Sequence, residues 1–293
     1  MTGPTYDMVF LGHYTKDTIV TPSGTRIADG GAFFYGANVA VRMGLRTAAV
    51  TRLAEEDFHV VDELRHLGVD VMALPSREST CLRLEYPSDN PDQRTITVTS
   101  QADPFDPEDV EPVESRCFVI GASIRGEVSR KVLEELAGRG AQIALDVQGY
   151  IRVVRSGVLV HEEWPEMESI LSLVDVLKTD AVEAESLTGS AEIREAAKVL
   201  HGYGPSEIVL THRDGLLVYA GEEFYEERFF PKETIGRSGR GDTCVVAYMG
   251  RRLTAPAQES AVWAAAVTSL KLESNGPFSR DLGDVEALIR SNY

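Results

Sequence analysis

Short apolar runs alternate with amphipathic stretches along most of the chain. MVFLG (8–12), TAAVTRL (47–53), RCFVIGAS (116–123), QIALDVQ (142–148), VDVLK (174–178) and EIVLTH (207–212) are apolar at successive positions. That is the pattern of strands covered on both faces, as in a parallel sheet. Between them, EEDFHVVDELRHLG (55–68), GEVSRKVLEELAGRG (126–140), AVEAESLTG (181–189) and AEIREAAKVLHG (191–202) repeat apolar residues at helical spacing. Each ends in glycine, which readily takes the left-handed conformation that closes a helix. The alternation predicts an α/β fold with a mostly parallel central sheet flanked by helices. No repeat, low-complexity tract or linker interrupts it, so a single domain over residues 1–293 is expected.

Two segments follow a different rule. TCLRLEYP (80–87) sets Leu82, Leu84 and Tyr86 against Cys81, Arg83 and Glu85, and RTITVTS (94–100) sets Ile96 and Val98 against threonines. The turn-rich SDNPDQ (88–93) joins them, so the pair predicts a hairpin with one wet face. The polar segment KDTIVTPSGTRIADGG (16–31) supplies further strands of that kind. Together these predict a small β lid, with strands from about 13–31 and 80–100. A lid suits an enzyme that excludes water, and the pattern fits an ordinary surface hairpin equally well. Its open strand edges would also suit pairing with a second copy, giving a homodimer through the lid.

Composition narrows the function. The chain is 43% hydrophobic and 26% charged, with a formal net charge of −17. Such acidity argues against a nucleic-acid partner, which calls for a basic surface. An anionic ligand would need a locally positive site built from arginine, a metal or helix N-termini. Cys81, Cys117 and Cys244 are widely spaced, and no CxxC occurs, so neither a disulfide framework nor a zinc site is indicated. No run reaches the length of a membrane span, and the first residues lack a basic segment followed by an apolar one. A cytoplasmic location with no membrane partner is the expectation.

One stretch concentrates chemistry. GRSGRGDTCVVAYMG (236–250) places Gly236, Gly239 and Gly241 just ahead of an apolar helix. Glycines permit a bend whose amides converge, and the helix adds the positive end of its dipole, so the loop is an anion site. Asp242 there is either a helix N-cap or a base held beside a bound phosphate. The loop is neither GxxxxGK[ST] nor GxGxxG, which disfavours a Walker-type site and a dinucleotide-binding dehydrogenase.

SGRGDT (238–243), followed by an apolar helix, resembles the C-terminal signature of the PfkB/ribokinase family of carbohydrate kinases. ADGGAFFYGANVAVRMGL (28–45) is similar to the N-terminal signature of that family, GHYTKD (12–17) to the segment that sets an aspartate against the sugar, LKTDAVEAESLTG (177–189) to the NxxE element, and VLTHRDGLLVY (209–219) to the strand and turn bordering the nucleotide. The five stand in the family's order over about residues 7–280. The resemblance implies a ribokinase-like fold and ATP-dependent, Mg²⁺-assisted phosphoryl transfer to a hydroxyl of a small sugar or polyol.

In that reading Asp242 is the catalytic base, and the amides of Gly239, Arg240 and Gly241 form the anion hole. The helix dipole would keep Asp242 ionised without a raised pKa. Glu183 would hold Mg²⁺ through water with Asp180 beside it, although an acidic helix start with Asp180 as N-cap fits the same residues. Lys178, Thr211 and Gly215 would border the nucleotide, as would the alanine-rich helix of AVWAAAVTSLKLESNGPF (261–278). On the acceptor side stand Asp17, Gly30, Gly31 and Asn38, whose carboxylate and carboxamide suit paired hydroxyls. Gln148 and Arg152 follow a strand end, where ligands of open α/β sheets collect. His13 and His212 receive no role.

The chain departs from the family pattern in two places. Gly236, Arg237 and Ser238 replace an Asp-Thr-Thr-like run and Arg240 an alanine; Asp180 replaces the asparagine of NxxE. Arg237 and Arg240 either bind a donor phosphate or an acidic acceptor group, or point to solvent. Ribose, fructose phosphate, a nucleoside and myo-inositol all remain open as acceptors. A catalytically silent sugar or nucleotide sensor is the alternative, against which the joint retention of Asp242, Gly241 and Glu183 speaks.

Overall fold

The computed structural model describes residues 5–88 and 94–293. The hairpin turn expected at 88–93 therefore falls, apart from Ser88, outside the described residues. In chain order the strands are β1 (Met8–Leu11), β2 (Thr15–Thr21), β3 (Gly24–Gly30), β4 (Thr47–Leu53), β5 (Asp70–Pro75), β6 (Thr80–Glu85), β7 (Thr95–Ser100), β8 (Cys117–Ile120), β9 (Gln142–Asp146), β10 (Arg152–Arg155), β11 (Val158–His161), β12 (Val176–Asp180), β13 (Glu207–Thr211), β14 (Gly215–Ala220) and β15 (Glu223–Arg228).

They form a nine-stranded sheet in the order β15-β14-β13-β12-β9-β8-β1-β4-β5 and a six-stranded sheet in the order β10-β11-β7-β6-β2-β3. From β13 to β5 the large sheet is parallel throughout. The hairpin of β14 and β15 adds an antiparallel edge. This is the mostly parallel sheet that the apolar runs predict.

Both faces of the large sheet are covered, which is why its strands lack an alternating polar position. Met8 and Phe10 point into one core with Ala37, Val246, Tyr248 and Ala264, from the helices Ala32–Arg42, Arg240–Arg252 and Ala257–Leu272. Val9 and Leu11 point into the other with Leu133, Leu136, Ala196 and Leu200, from the helices Arg130–Ala137 and Ile193–His201.

The smaller sheet follows its own pattern. Leu82 and Leu84 are buried with Ile124, and Ile96, Val98, Val154 and Leu159 pack against them. Four of its strands lie where the alternating segments place them. β10 and β11 are additional: RVVRSGVLVH (152–161) folds as a hairpin that joins the sheet through Val158 opposite Thr97. Its two short apolar stretches lack a buried strand's length, so the pattern alone left the segment unassigned.

The two sheets meet at His13, between β1 and β2. Its backbone amide donates to Glu127 Oε1 at 2.7 Å, and its ring reaches Thr80 Oγ1 at 3.0 Å and the Asp103 carbonyl at 2.9 Å. His13 and Glu127 are both fully buried. The small sheet is thereby tied to the strand ends of the large one.

Candidate active site

The glycine-rich loop ends in the helix Arg240–Arg252, with Gly239 at its N-cap in the left-handed region, φ 71°. A Cβ at Gly239 would enter the ring of Tyr35, so conformation and space both require glycine. Gly241 is required by a different neighbour, because its Cβ would lie 2.8 Å from Lys178 Nζ. The Thr243 amide donates to the Gly239 carbonyl at 2.9 Å, closing the first turn. The Arg240 amide donates to the Arg237 carbonyl at 3.1 Å, and this corrects the expectation that it joins the anion hole. Among the described residues, the amides of Gly239 and Gly241 have no protein acceptor.

Behind the loop, adjacent parallel strands end side by side. Lys178 on β12 is in register with Asp146 on β9 and Val209 on β13, and Asp180 is in register with Thr211. Lys178 Nζ lies 3.0 Å from Asp146 Oδ2 and 3.8 Å from Glu183 Oε2, and Arg152 reaches Glu183 Oε1 at 4.0 Å. Asp146 and Asp242 line one small cavity with Ala32 and Gly121, which sets the first turn of the Ala32–Arg42 helix beside them.

Asp180 caps the helix Ala181–Thr188 in a reciprocal box. Its side chain accepts from the Glu183 amide at 2.9 Å, and Glu183 Oε2 accepts from the Asp180 amide at 2.9 Å. The capping reading is thus realised, and Glu183 also remains buried against Lys178 and Arg152.

Carboxylates outnumber cations here, and the electrostatics follow. Burial raises the pKa values of Asp146, Glu183 and Asp242, and Lys178 opposes the rise in each case. For Asp242 this runs against the helix dipole, which alone would hold the group ionised. Burial works against the Lys178 charge, but Asp146, Glu183, Asp180 and Asp242 more than offset it and raise its pKa.

Asp17 lies on β2. Its Oδ1 is buried without a partner, and burial raises its pKa to about 6, with Thr15, Arg94 and Arg26 opposing. A Cβ on Gly30 would lie 3.1 Å from Asp17 Oδ2, so the missing side chain keeps space open beside the carboxylate. Gly31, φ 97°, starts the Ala32–Arg42 helix against the His13 carbonyl. Tyr35 feels both Asp17 and Asp242; burial first, then these two carboxylates, raise its phenol. Both aspartates therefore lie within electrostatic reach of one tyrosine.

Other expected residues stand differently. Asn38 donates to the Phe34 carbonyl at 2.9 Å, and its Oδ1 accepts from Arg42 at 2.9 Å. It lies inside its helix, and its carboxamide makes these two bonds within the helix. Gln148 contributes its backbone amide to Asp146 Oδ1 at 2.9 Å. Gly215 has a packing reason, since a Cβ would strike the Glu227 carbonyl across the β14–β15 ladder. Thr211 Oγ1 and His212 Nε2 are buried without partners, and burial lowers the His212 pKa.

Asp146, Tyr35 and Lys271 join the arrangement without having been singled out in the sequence. Asp146 had a signal, as a carboxylate closing a buried strand of an open parallel sheet. Lys271 had another, as a lone cation in an alanine-rich helix. Tyr35 had none, because a buried aromatic on a helix reads as core.

Comparison with known proteins bears on this geometry. The profile of the pfkB family of carbohydrate kinases matches residues 7–280. The cytidine kinase of Thermococcus kodakarensis is 25% identical over 244 residues, covering 80% of this chain and 84% of that one. A sulfate complex of a pyrophosphate-dependent kinase in the ribokinase family superposes with a TM-score of 0.89 at 34% identity, covering 96% of this chain and 99% of the other. A pyrophosphate-dependent kinase of the same family, complexed with a pyrophosphate analogue and myo-inositol, gives 0.88 at 33% identity, covering 96% and 99%. With the glycine loop, Asp242 and the strand-end carboxylates in the family's order, the chain belongs to the pfkB family of carbohydrate kinases and has the ribokinase-like fold.

Proposed function

We propose that this protein transfers a phosphoryl group to a hydroxyl of a small neutral polyol, with myo-inositol the leading acceptor. One observation carries the reading: Asp242 stands half-buried in the first turn of its helix, next to the free amides of Gly239 and Gly241, and Tyr35 feels the charge of both Asp242 and Asp17, whose Oδ1 is buried without a partner. Asp17 accepts from one acceptor hydroxyl and orients its neighbour toward Asp242. Asp242 takes the proton of the attacking hydroxyl. The glycine amides meet the charge on the transferred phosphoryl, so positioning and charge stabilisation supply most of the rate. The small sheet covers the acceptor and excludes water.

Among the described residues no three His, Cys, Asp or Glu side chains converge as a direct metal site, so a divalent cation would be held through water. Asp146 and Glu183 are buried and Asp242 half-buried, and desolvation raises all three carboxylates, opposed in part by Lys178 and, for Glu183 and Asp242, by Arg152. Glu183, with both oxygens already engaged, would hold Mg²⁺ through water. When bound, the ion neutralises charge on the donor phosphates. ATP is the donor of the first reading. Pyrophosphate is the second, favoured by the similar structures of pyrophosphate-dependent kinases at 32–34% identity. Turnover assays crossing both donors with sugars, polyols, sugar phosphates and nucleosides test both. Acceptor-stimulated transfer from one donor is expected, and its absence across the panel favours the silent sensor.

A further inference from the structure

The helix Ala257–Leu272 is apolar and alanine-rich, yet it buries a lysine in its last turn. Lys271 is 1% exposed. Its Nζ donates to the Gly236 carbonyl at 2.9 Å and lies 5.8 Å from the centroid of the Tyr35 ring. Both neighbours belong to the glycine-rich loop or its support, since Gly236 opens the loop and Tyr35 packs where a Gly239 Cβ would be. The backbone adds a clamp, with the Ile235 and Gly236 amides donating to the Leu272 carbonyl at 2.8 and 3.2 Å.

An ammonium is an expensive occupant of this position. An apolar side chain would avoid the desolvation that a buried charge costs. The negative end of the helix offsets part of that cost, and so does the ring face of Tyr35. Nothing in the packing calls for the charge, and the loop carbonyl does.

We propose that Lys271 is a built-in cation that positions the Gly236–Asp242 loop, holding the Gly236 carbonyl inward so that the loop amides stay directed at the transferred phosphoryl. It acts through the loop and touches no reacting atom. The catalytic part of this proposal rests on the kinase reading; the part concerning loop geometry does not. Burial lowers the pKa of Lys271 to about 8, against the opposing carboxylate of Asp242. The titratable groups that face it are Asp242, from the helix Arg240–Arg252, and Tyr35, from the helix Ala32–Arg42. Loss of its proton would leave an amine that still donates but without the charge that strengthens the bond, so the hold on the Gly236 carbonyl would weaken and activity would fall as pH rises through about 8.

The test compares wild type with Lys271→Met, Lys271→Ala and Lys271→Arg. Amide hydrogen exchange over residues 236–243 reports the loop without any substrate, so it scores the proposal even if no acceptor is turned over. We expect Lys271→Met to exchange at least tenfold faster there with core strands unchanged. Its kcat should fall at least thirtyfold, with acceptor KM within about threefold. Ethylammonium chloride should restore Lys271→Ala at least fivefold over sodium chloride, by entering the space left, and should not restore Lys271→Met. Unchanged loop exchange, or kcat within twofold of wild type, overturns the proposal. If the uncharged variants do not fold, the Arg variant decides: an alkaline limb near pH 8 in wild type that is absent with arginine supports it, and the same limb in both, or none in wild type, overturns it.

Discussion

Lys178 and Asp146 form a buried ion pair, 3.0 Å apart, at the ends of neighbouring parallel strands, and Gly241 of the glycine-rich loop rests against the same lysine. The pair joins the sheet to the loop. A single cation serves Asp146, Glu183 and the approach of the helix that carries Asp242, so its removal strands several charges together.

Lys178→Met leaves Asp146 and Glu183 buried against Arg152 alone. Breaking one side of a buried pair costs about 3–5 kcal/mol. Denaturant titration at pH 7 should show a loss of that order, and the loss should shrink at lower pH as the raised carboxylates protonate. A loss independent of pH would mean that packing, not charge, is what Lys178 supplies.

Glu183→Gln separates capping from metal holding. Glutamine can still accept from the Asp180 amide, so stability should change by less than the roughly 1 kcal/mol a lost cap costs. The negative charge is gone, so the Mg²⁺ concentration needed for half-maximal turnover should rise at least tenfold. An unchanged requirement would leave Glu183 with the capping role alone.

Asp17 predicts a stability change with a definite sign. Its folded-state pKa of about 6 exceeds the ordinary 3.8, so between those values the folded state binds more protons than the unfolded one and stability falls as pH rises. Asp17→Asn removes this cost. At pH 8 the variant should be more stable than wild type by up to about 3 kcal/mol, at ~1.36 kcal/mol per unit, and below pH 4 the two should converge. Acceptor KM should rise in the same variant, because the asparagine replaces the carboxylate facing the hydroxyls. Equal stabilities at pH 8 would place Asp17 in solvent.

Gly239→Ala forces a side chain into the Tyr35 ring at φ 71°. The left-handed conformation alone costs about 1–2 kcal/mol, and the overlap displaces either the loop or the ring. Calorimetry should show a lower Tm together with weaker donor binding. A variant that retains donor affinity would show that the loop tolerates the shift.

Much of this was legible in the residues because each feature had a local cause. Strands covered on both faces lose their polar alternation, so β1, β4, β8, β9, β12 and β13 stand out as apolar runs. The glycine requirement at 239 is a backbone matter that the sequence displays directly, whereas at 241 it comes from the Lys178 side chain. Other features depend on partners distant in the chain. The β10–β11 hairpin gains its place only by pairing with β7. Asn38 carries a family-like signature and sits inside its helix, where its carboxamide bonds to Phe34 and Arg42. Tyr35 and Lys271 matter through their contact with each other and with the loop, which no periodicity reveals.

In the proposed reaction Asp242 accepts the acceptor's proton during phosphoryl transfer. The most direct measurement is acceptor-stimulated turnover of ATP and of pyrophosphate by wild type and Asp242→Asn, with donor binding followed in parallel by calorimetry. A positioned base contributes roughly 10²–10⁴-fold. The variant should bind the donor as wild type does and lose turnover by at least the lower end of that range. Turnover within threefold of wild type would contradict that role.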